Sequence, residues 1–178
     1  MDQAAGAARY AEPLQLFSNK GDRTFEDVSG AFAGIPNASR RGAAFGDLNN
    51  DGYVDIVVVD IDGPPQLLLN QGGTRNHRVL FKLMGTKSNR MAIAARVSVT
   101  AGKLPQAKEV RAGGSYLSSS DPRLHFGLGQ EATIAEIVVR WPGGDKEILK
   151  DVPADSIYTI VEGKGVTDKS QLPPIQFR

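Results

Sequence analysis

The chain has 178 residues, with 21 lysines and arginines against 20 aspartates and glutamates, and no cysteine. A near-neutral balance speaks against a nucleic-acid binder, which carries a basic excess or stripe. The missing cysteines remove disulfides, thiolate zinc sites, iron–sulfur clusters and cysteine nucleophiles together. With 40% hydrophobic and 23% charged residues, this is an ordinary folding sequence, sized for one domain or two small ones. A chain of this length buries roughly 70% of the surface it exposes when unfolded, enough for a core without staples. No run approaches the roughly 20 apolar residues of a membrane helix, so no membrane insertion is expected. The start, Met1–Pro13, has acids where a signal peptide wants a basic region, and no leucine-rich stretch follows. An exported protein would need a leader outside this chain.

Twenty glycines and ten prolines punctuate short apolar runs. Val79–Leu83, Ala95–Val99, Ile134–Trp141 and Ile157–Val161 are strand-length and rich in β-branched residues. Helical spacing is absent beyond a turn or two at Ala4–Ala8 and Phe32–Ile35, so the predicted class is all-β. Leu14–Gly21 echoes Gln66–Gly72, each an apolar strand ending in Asn-x-Gly, at a spacing of about 50 residues, in the range of a propeller blade. A boundary is expected near Asn70–Arg78, where glycines and a polar cluster interrupt the apolar pattern. Beyond it, residues 77–163 hold roughly seven or eight short strands, suiting a small antiparallel sandwich or barrel. The stretch 164–178, with Pro173-Pro174, reads as an extended tail.

The sharpest signal is Asp47-Leu48-Asn49-Asn50-Asp51-Gly52-Tyr53-Val54-Asp55. Side-chain oxygens fall at the first, third, fifth and ninth positions. Gly52 allows a tight turn, and the Tyr53 carbonyl can point inward. That is a donor set for a hard cation such as Ca²⁺, and three carboxylates this close would repel one another without one. An EF-hand loop needs Glu at its twelfth position; here Val58 stands there, inside an apolar strand. Two readings stay open, a structural Ca²⁺ site and a bare Asx-rich turn, and spacing alone does not separate Ca²⁺ from Mg²⁺.

Ala43–Ile56 resembles the FG-GAP/VCBS repeat of integrin-α-like β-propellers, and Phe17–Val28 looks like the end of a preceding blade. The resemblance implies a propeller segment over residues 10–73, about one and a half blades, with Ca²⁺ held by Asp47, Asn49, Asp51, the Tyr53 carbonyl and Asp55. Closed propellers have about four to eight blades, so this would be the last part of a longer ring, or a form whose open edges are covered. Open strand edges invite pairing, which makes a homodimer through them an expectation. Residues 76–163 resemble the ASPIC/UnbV domain through Asn76-His77, Leu83–Arg90, Ala95–Val97, Gly113–Gly129 and Val139–Gly144. That domain closes FG-GAP/VCBS proteins, extracellular ones among them. The family usually has glycines where Met91–Ala94 stand here, so an altered turn is expected.

Ser118, Ser119, Ser120, Asp121 and His125 invite a hydrolase reading, since a nucleophilic triad needs exactly these types. Yet Gly113–Leu117 lacks the final glycine of a nucleophile elbow, and no catalytic residue is assigned. Alternation puts Ile137, Val139 and Trp141 on one strand face, for core packing, with Arg140 opposite. Arg111, Tyr116, Ser118 and Arg123 are the candidate lining of a ligand groove, and Lys108-Glu109 reads as solvated charge. The leading expectation is a non-enzymatic, calcium-stabilised, extracytoplasmic binding or adhesion module with a protein or glycan partner. A carbohydrate-binding module, stacking a sugar on Trp141 or Tyr116, and a hydrolase are the alternatives.

Overall fold

The computed structural model describes residues 10–61, 63–72 and 75–174. The Ala4–Ala8 stretch lies outside the described residues. Among those described there are thirteen strands and one 3₁₀ turn, at Ser29–Phe32. The turn meets the Phe32–Ile35 stretch expected to be helical only at Phe32, and Gly34 takes φ +86°, outside the right-handed region. The described residues form two compact units, one up to Gly42 together with Val58–Gln66, the other Ala43–Val57 together with the residues from Leu67 on.

In the first unit, β1 (Phe17–Asn19) and β2 (Phe25–Asp27) form an antiparallel hairpin. Its turn is closed by side chains: Gly21 N–H donates to Asn19 Oδ1 at 2.8 Å, and Thr24 N–H to Asp22 Oδ1 at 3.0 Å. Strands β3 (Arg40–Gly46), β4 (Asp55–Asp60) and β5 (Gln66–Leu68) lie in the order β3-β4-β5. The sequence repeat reappears as geometry. Asn70 Oδ1 accepts from Gly72 N–H at 3.0 Å, as Asn19 does from Gly21, and both glycines sit at positive φ, +83° and +75°. Each Asn-x-Gly is thus an Asx turn that ends a strand.

The second unit holds a sandwich. One sheet orders β11 (Lys146–Pro153), β10 (Thr133–Arg140), β7 (Arg96–Ala101) and β8 (Leu104–Glu109). The other orders β13 (Gly165–Gln171), β12 (Ser156–Val161), β6 (His77–Met84) and β9 (Leu124–Gly129). The pairing is not wholly antiparallel as expected, because β12 runs parallel to β6. A parallel pair needs a long crossover, and here the chain builds the whole first sheet between the two strands. The tail is drawn in as well, since β13 pairs antiparallel with β12; residues 175–178 lie outside the described ones. Period-two alternation fills the core. Val79, Phe81 and Leu83 of β6 meet Val97 and Val99 of β7, Phe126 of β9, Ile137 and Val139 of β10, and Tyr158 and Ile160 of β12. Phe81 stands edge-on to Phe126 at 5.8 Å and stacks on Tyr158 at 6.1 Å. Trp141, only 3% exposed, closes one end of this core, as its place beside Ile137 and Val139 predicts.

Alternation also gives the second sheet an outer face, bearing Arg78 and Leu80 on β6 and His125 on β9. Arg78 and Leu80 are nonetheless 3% and 1% exposed. Arg78 is covered by the acidic loop, at Asp51, and by the Pro173 carbonyl.

Candidate functional site

The loop between β3 and β4 is organised by its own carboxylates. Asp47 Oδ1 and Oδ2 accept from the amides of Asp51 and Gly52 at 3.0 and 2.8 Å. Asp55 Oδ2 and Oδ1 accept from Leu48 and Asn70 amides at 3.0 and 2.9 Å. Both aspartates are buried, at 3% and 1% exposure. Asp51 Oδ1 takes the Tyr53 amide at 2.8 Å, its Oδ2 takes Asn49 Nδ2 at 2.8 Å, and Asn49 Oδ1 takes the Asp51 amide at 3.1 Å. Burial pushes the Asp47 carboxyl above its usual range, against the pull of the Gly52 and Asp51 amides.

With the side chains turned to the loop's amides, its carbonyls are read from the sandwich. Arg123 Nη2 donates to the Asp47 carbonyl at 2.5 Å and Nη1 to Asn50 Oδ1 at 2.6 Å. His125 Nε2 donates to the Gly52 carbonyl at 2.6 Å, which fixes the proton on that nitrogen, and desolvation holds the ring's pKa below normal. Arg78 Nε and Nη2 donate to the Asp51 carbonyl at 3.2 and 2.5 Å. Its guanidinium also lies 4.4 Å from the centroid of the Tyr53 ring. Gly52 is required twice over: its φ is +87°, and a Cβ there would stand 2.2 Å from Arg78 Nε.

The donor chemistry of the five candidate ligands suits Ca²⁺, all hard oxygens, and each Asp47 and Asp55 oxygen, engaged by one amide, keeps a second lone pair. The site is not preassembled. Among the described residues no three acidic or imidazole side chains converge on one point, so a cation would have to draw the side chains of Asp47, Asn49, Asp51 and Asp55 together.

The groove residues separate into two places. Arg111 and Arg123 line a cavity of about 550 Å³ together with Arg96, Lys108, Ser120, His125 and apolar surface that includes Phe45, Val54 and Leu124. Tyr116 and Ser118 do not line it. They form an outward turn in which Ser118 N–H donates to the Ser115 carbonyl at 3.2 Å and Ser118 Oγ to the Tyr116 carbonyl at 3.0 Å. Tyr116 and Leu117 stand 67% and 90% exposed at its tip. The same segment runs along β3: the Ala43 and Phe45 amides donate to Ser115 and Ser120 Oγ, each at 3.2 Å, and the Asp121 amide to the Phe45 carbonyl at 2.8 Å. This covers part of a strand edge expected to be open.

Three further readings meet the geometry here. The serine–histidine constellation is taken up elsewhere: Ser120 serves the Phe45 amide, Asp121 pairs with Arg123 at 2.6 Å, and His125 serves Gly52. Trp141 is no stacking platform, for its ring is buried and its Nε1 donates to Glu147 Oε1 at 2.8 Å. Lys108 and Glu109 are exposed, as expected of solvated charge, and the Lys108 ammonium also lies 5.5 Å from the Phe126 ring, where partial desolvation lowers its pKa.

Two important residues escaped the sequence reading. Arg78 hides at the head of an apolar strand, where a lone cation looks like a solvated strand end. Glu162 is 3% exposed and accepts three successive amides on Oε2, from Thr86, Lys87 and Ser88 at 2.9, 2.8 and 2.7 Å, with Ser88 Oγ on Oε1 at 2.9 Å. These bonds, that of Ser88 first, bring its pKa down to about 2. The one sequence signal was an acid closing the apolar run Ile157–Val161. The loop it anchors continues into the stretch where the family has glycine, and there Ala92 and Ala94 take φ +52° and +73°. These are conformations that glycine adopts freely and alanine only at a cost.

Comparison with known proteins agrees with this arrangement. Residues 4–58 match the FG-GAP-like repeat, and residues 85–167 match the family described as ASPIC and UnbV. The chain is 33% identical over 162 residues to cartilage acidic protein 1 of Homo sapiens, 88% of this chain and 22% of that protein. It is 36% identical over 91 residues to the Xenopus tropicalis protein of the same name, 50% of this chain and 14% of that one. The Mus musculus protein is 27% identical over 147 residues, 80% of this chain and 22% of that one. The chain therefore spans less than a quarter of the length of these relatives.

Proposed function

Because the chain carries an FG-GAP-like repeat followed by an ASPIC/UnbV domain, we propose that it is a non-catalytic, calcium-stabilised binding module of an extracytoplasmic protein, belonging to the end of a longer propeller. The observation that carries this reading is the acidic loop, where two buried carboxylates and their neighbours present hard oxygens on a loop whose outer carbonyls the sandwich holds. Asp47, Asn49, Asp51, Asp55 and the Tyr53 carbonyl would hold the ion. Bound there, Ca²⁺ would neutralise the clustered carboxylates and lock the loop, a structural role. The likeness to proteins named for cartilage supports an extracytoplasmic setting, where calcium modules work with dissociation constants of about 10⁻⁴–10⁻³ M. The apolar residues left exposed on and beside the edge strand β5, Leu67 and Leu69, suit a further strand, from more propeller or from a second copy. The partner of the module is a protein or a glycan.

A thermal melt of chelator-treated protein tests this, with millimolar Ca²⁺ or Mg²⁺ added. At a tenfold excess over the dissociation constant, which millimolar ion gives at the tighter end of that range, the ion stabilises by about 1.4 kcal/mol. The expected outcome is a rise in Tm with Ca²⁺, absent in Asp51→Ala. Equal calcium shifts in the wild type and Asp51→Ala would remove the loop as the site, and no shift in either would remove calcium from the function.

A further inference from the structure

We infer that the cavity of about 550 Å³ beside the loop, lined by Arg96, Lys108 and Arg111 together with apolar surface, binds the acidic groups of an anionic carbohydrate. Its cations are in surplus. Asp121 is taken by Arg123, and the Asp47 oxygens by loop amides. Among the described residues, the side chains of Arg96, Lys108 and Arg111 make no hydrogen bond or ion pair, Lys108 having only the Phe126 ring at 5.5 Å, which leaves Glu109, directly across from Arg96 in the β7–β8 register, as the one unengaged carboxylate of the lining. Guanidinium groups bind oxyanions through charge-assisted, often bidentate hydrogen bonds. The volume falls within the roughly 300–1,000 Å³ of small-ligand pockets.

Phe45, 46% exposed, lines the same cavity with Val54 and Leu124 and gives it apolar surface beside the cations. Aromatic and aliphatic surface next to cations in one cavity matches a sugar acid, which has an apolar ring face and a charged edge. A bare inorganic anion would use the cations and leave the apolar surface idle.

This inference rests on the binding-module reading and names its ligand class, but it does not depend on the ion. The test is calorimetric titration of the whole chain, in chelator, with tri-galacturonate and with its fully methyl-esterified, uncharged twin. The acid form is expected to bind at least about tenfold tighter than the ester. Arg96→Ala and Arg111→Ala, both at exposed positions, should each weaken it about tenfold at unchanged Tm, the scale of one charge-assisted bond. Glu109→Gln should tighten it. Equal binding of acid and ester, acid binding indifferent to both arginine substitutions, or no binding would overturn the inference. A flat titration beside a calcium-dependent melt sinks the carbohydrate alone, and binding without a calcium response sinks calcium alone.

Discussion

Among the described residues, every buried apolar side chain except Val58 lies at Val79 or beyond, whereas Phe17, Phe25, Phe45, Leu48, Ile61, Leu67 and Leu69 stand more than half or nearly half exposed. The sandwich closes a core around Phe81 and Phe126 and accounts for its own stability. The stretch before it has strands, turns and a repeat but no core of its own. Its order comes from polar contacts: Asx turns at Asn19 and Asn70, carboxylates on amides at Asp47 and Asp55, and arginines on carbonyls. The contrast teaches that strand-forming sequence and self-sufficient folding are separable. A blade is written to be covered by neighbours, a sandwich to cover itself.

The largest expected effect sits at the centre of that comparison. Phe81→Ala removes two ring contacts from the closed core and should cost about 3–5 kcal/mol, while Phe25→Ala, 65% exposed, should stay within about 0.5 kcal/mol. Urea unfolding of the two variants reads the difference directly, and similar losses would erase the distinction. Next comes Arg78→Ala, which strips the Asp51 carbonyl and the Tyr53 ring of a buried guanidinium beside Asp155 at 3.9 Å. A loss of about 3 kcal/mol in the same assay is expected. A near-zero value would mean that the loop contributes nothing to the sandwich.

Glu162 sharpens the comparison within the sandwich, where one polar anchor joins an apolar core. Its folded pKa, about 2, lies below the ordinary glutamate value of 4.5. Its contribution is therefore full above pH 4.5 and is lost as pH falls toward 2. Unfolding followed from pH 6 to pH 2 should show the wild type losing more stability than Glu162→Gln. Parallel curves would contradict the three-amide anchor. The smallest effect is a gain: Ala94→Gly relieves a left-handed alanine at an exposed position, which should stabilise by about 0.5–1 kcal/mol.

The sequence made the all-β class, the strand runs and the Asn-x-Gly repeat legible, because alternation and turn chemistry are local. Val79–Leu83 and Ile134–Trp141 fall within or at the ends of β6 and β10 for that reason. What stayed hidden is non-local. Nothing near Ser156 announces a parallel partner at Val79, and nothing in the tail announces that Gly165–Gln171 completes a sheet. At the site, the acidic loop and half of the groove, Arg111 and Arg123, were readable from residue type. Arg96 and Lys108 line the same cavity only through the tertiary fold, because the β7–β8 register sets Arg96 across from Glu109 and Lys108 across from the buried Val97, on the other face of the sheet. The outward turn carrying Tyr116 and Ser118 depends on Leu117 at φ +46°, a conformation leucine rarely adopts.

The central claim is that the sandwich holds the acidic loop in shape through polar contacts. Hydrogen exchange at the Asp51 and Gly52 amides, which donate to Asp47, tests it in the wild type and in Arg123→Ala. The account predicts that both amides lose protection in the variant while those of β6 and β12 keep theirs. Unchanged protection at Asp51 and Gly52 would contradict it, and the loop would then be an independent turn.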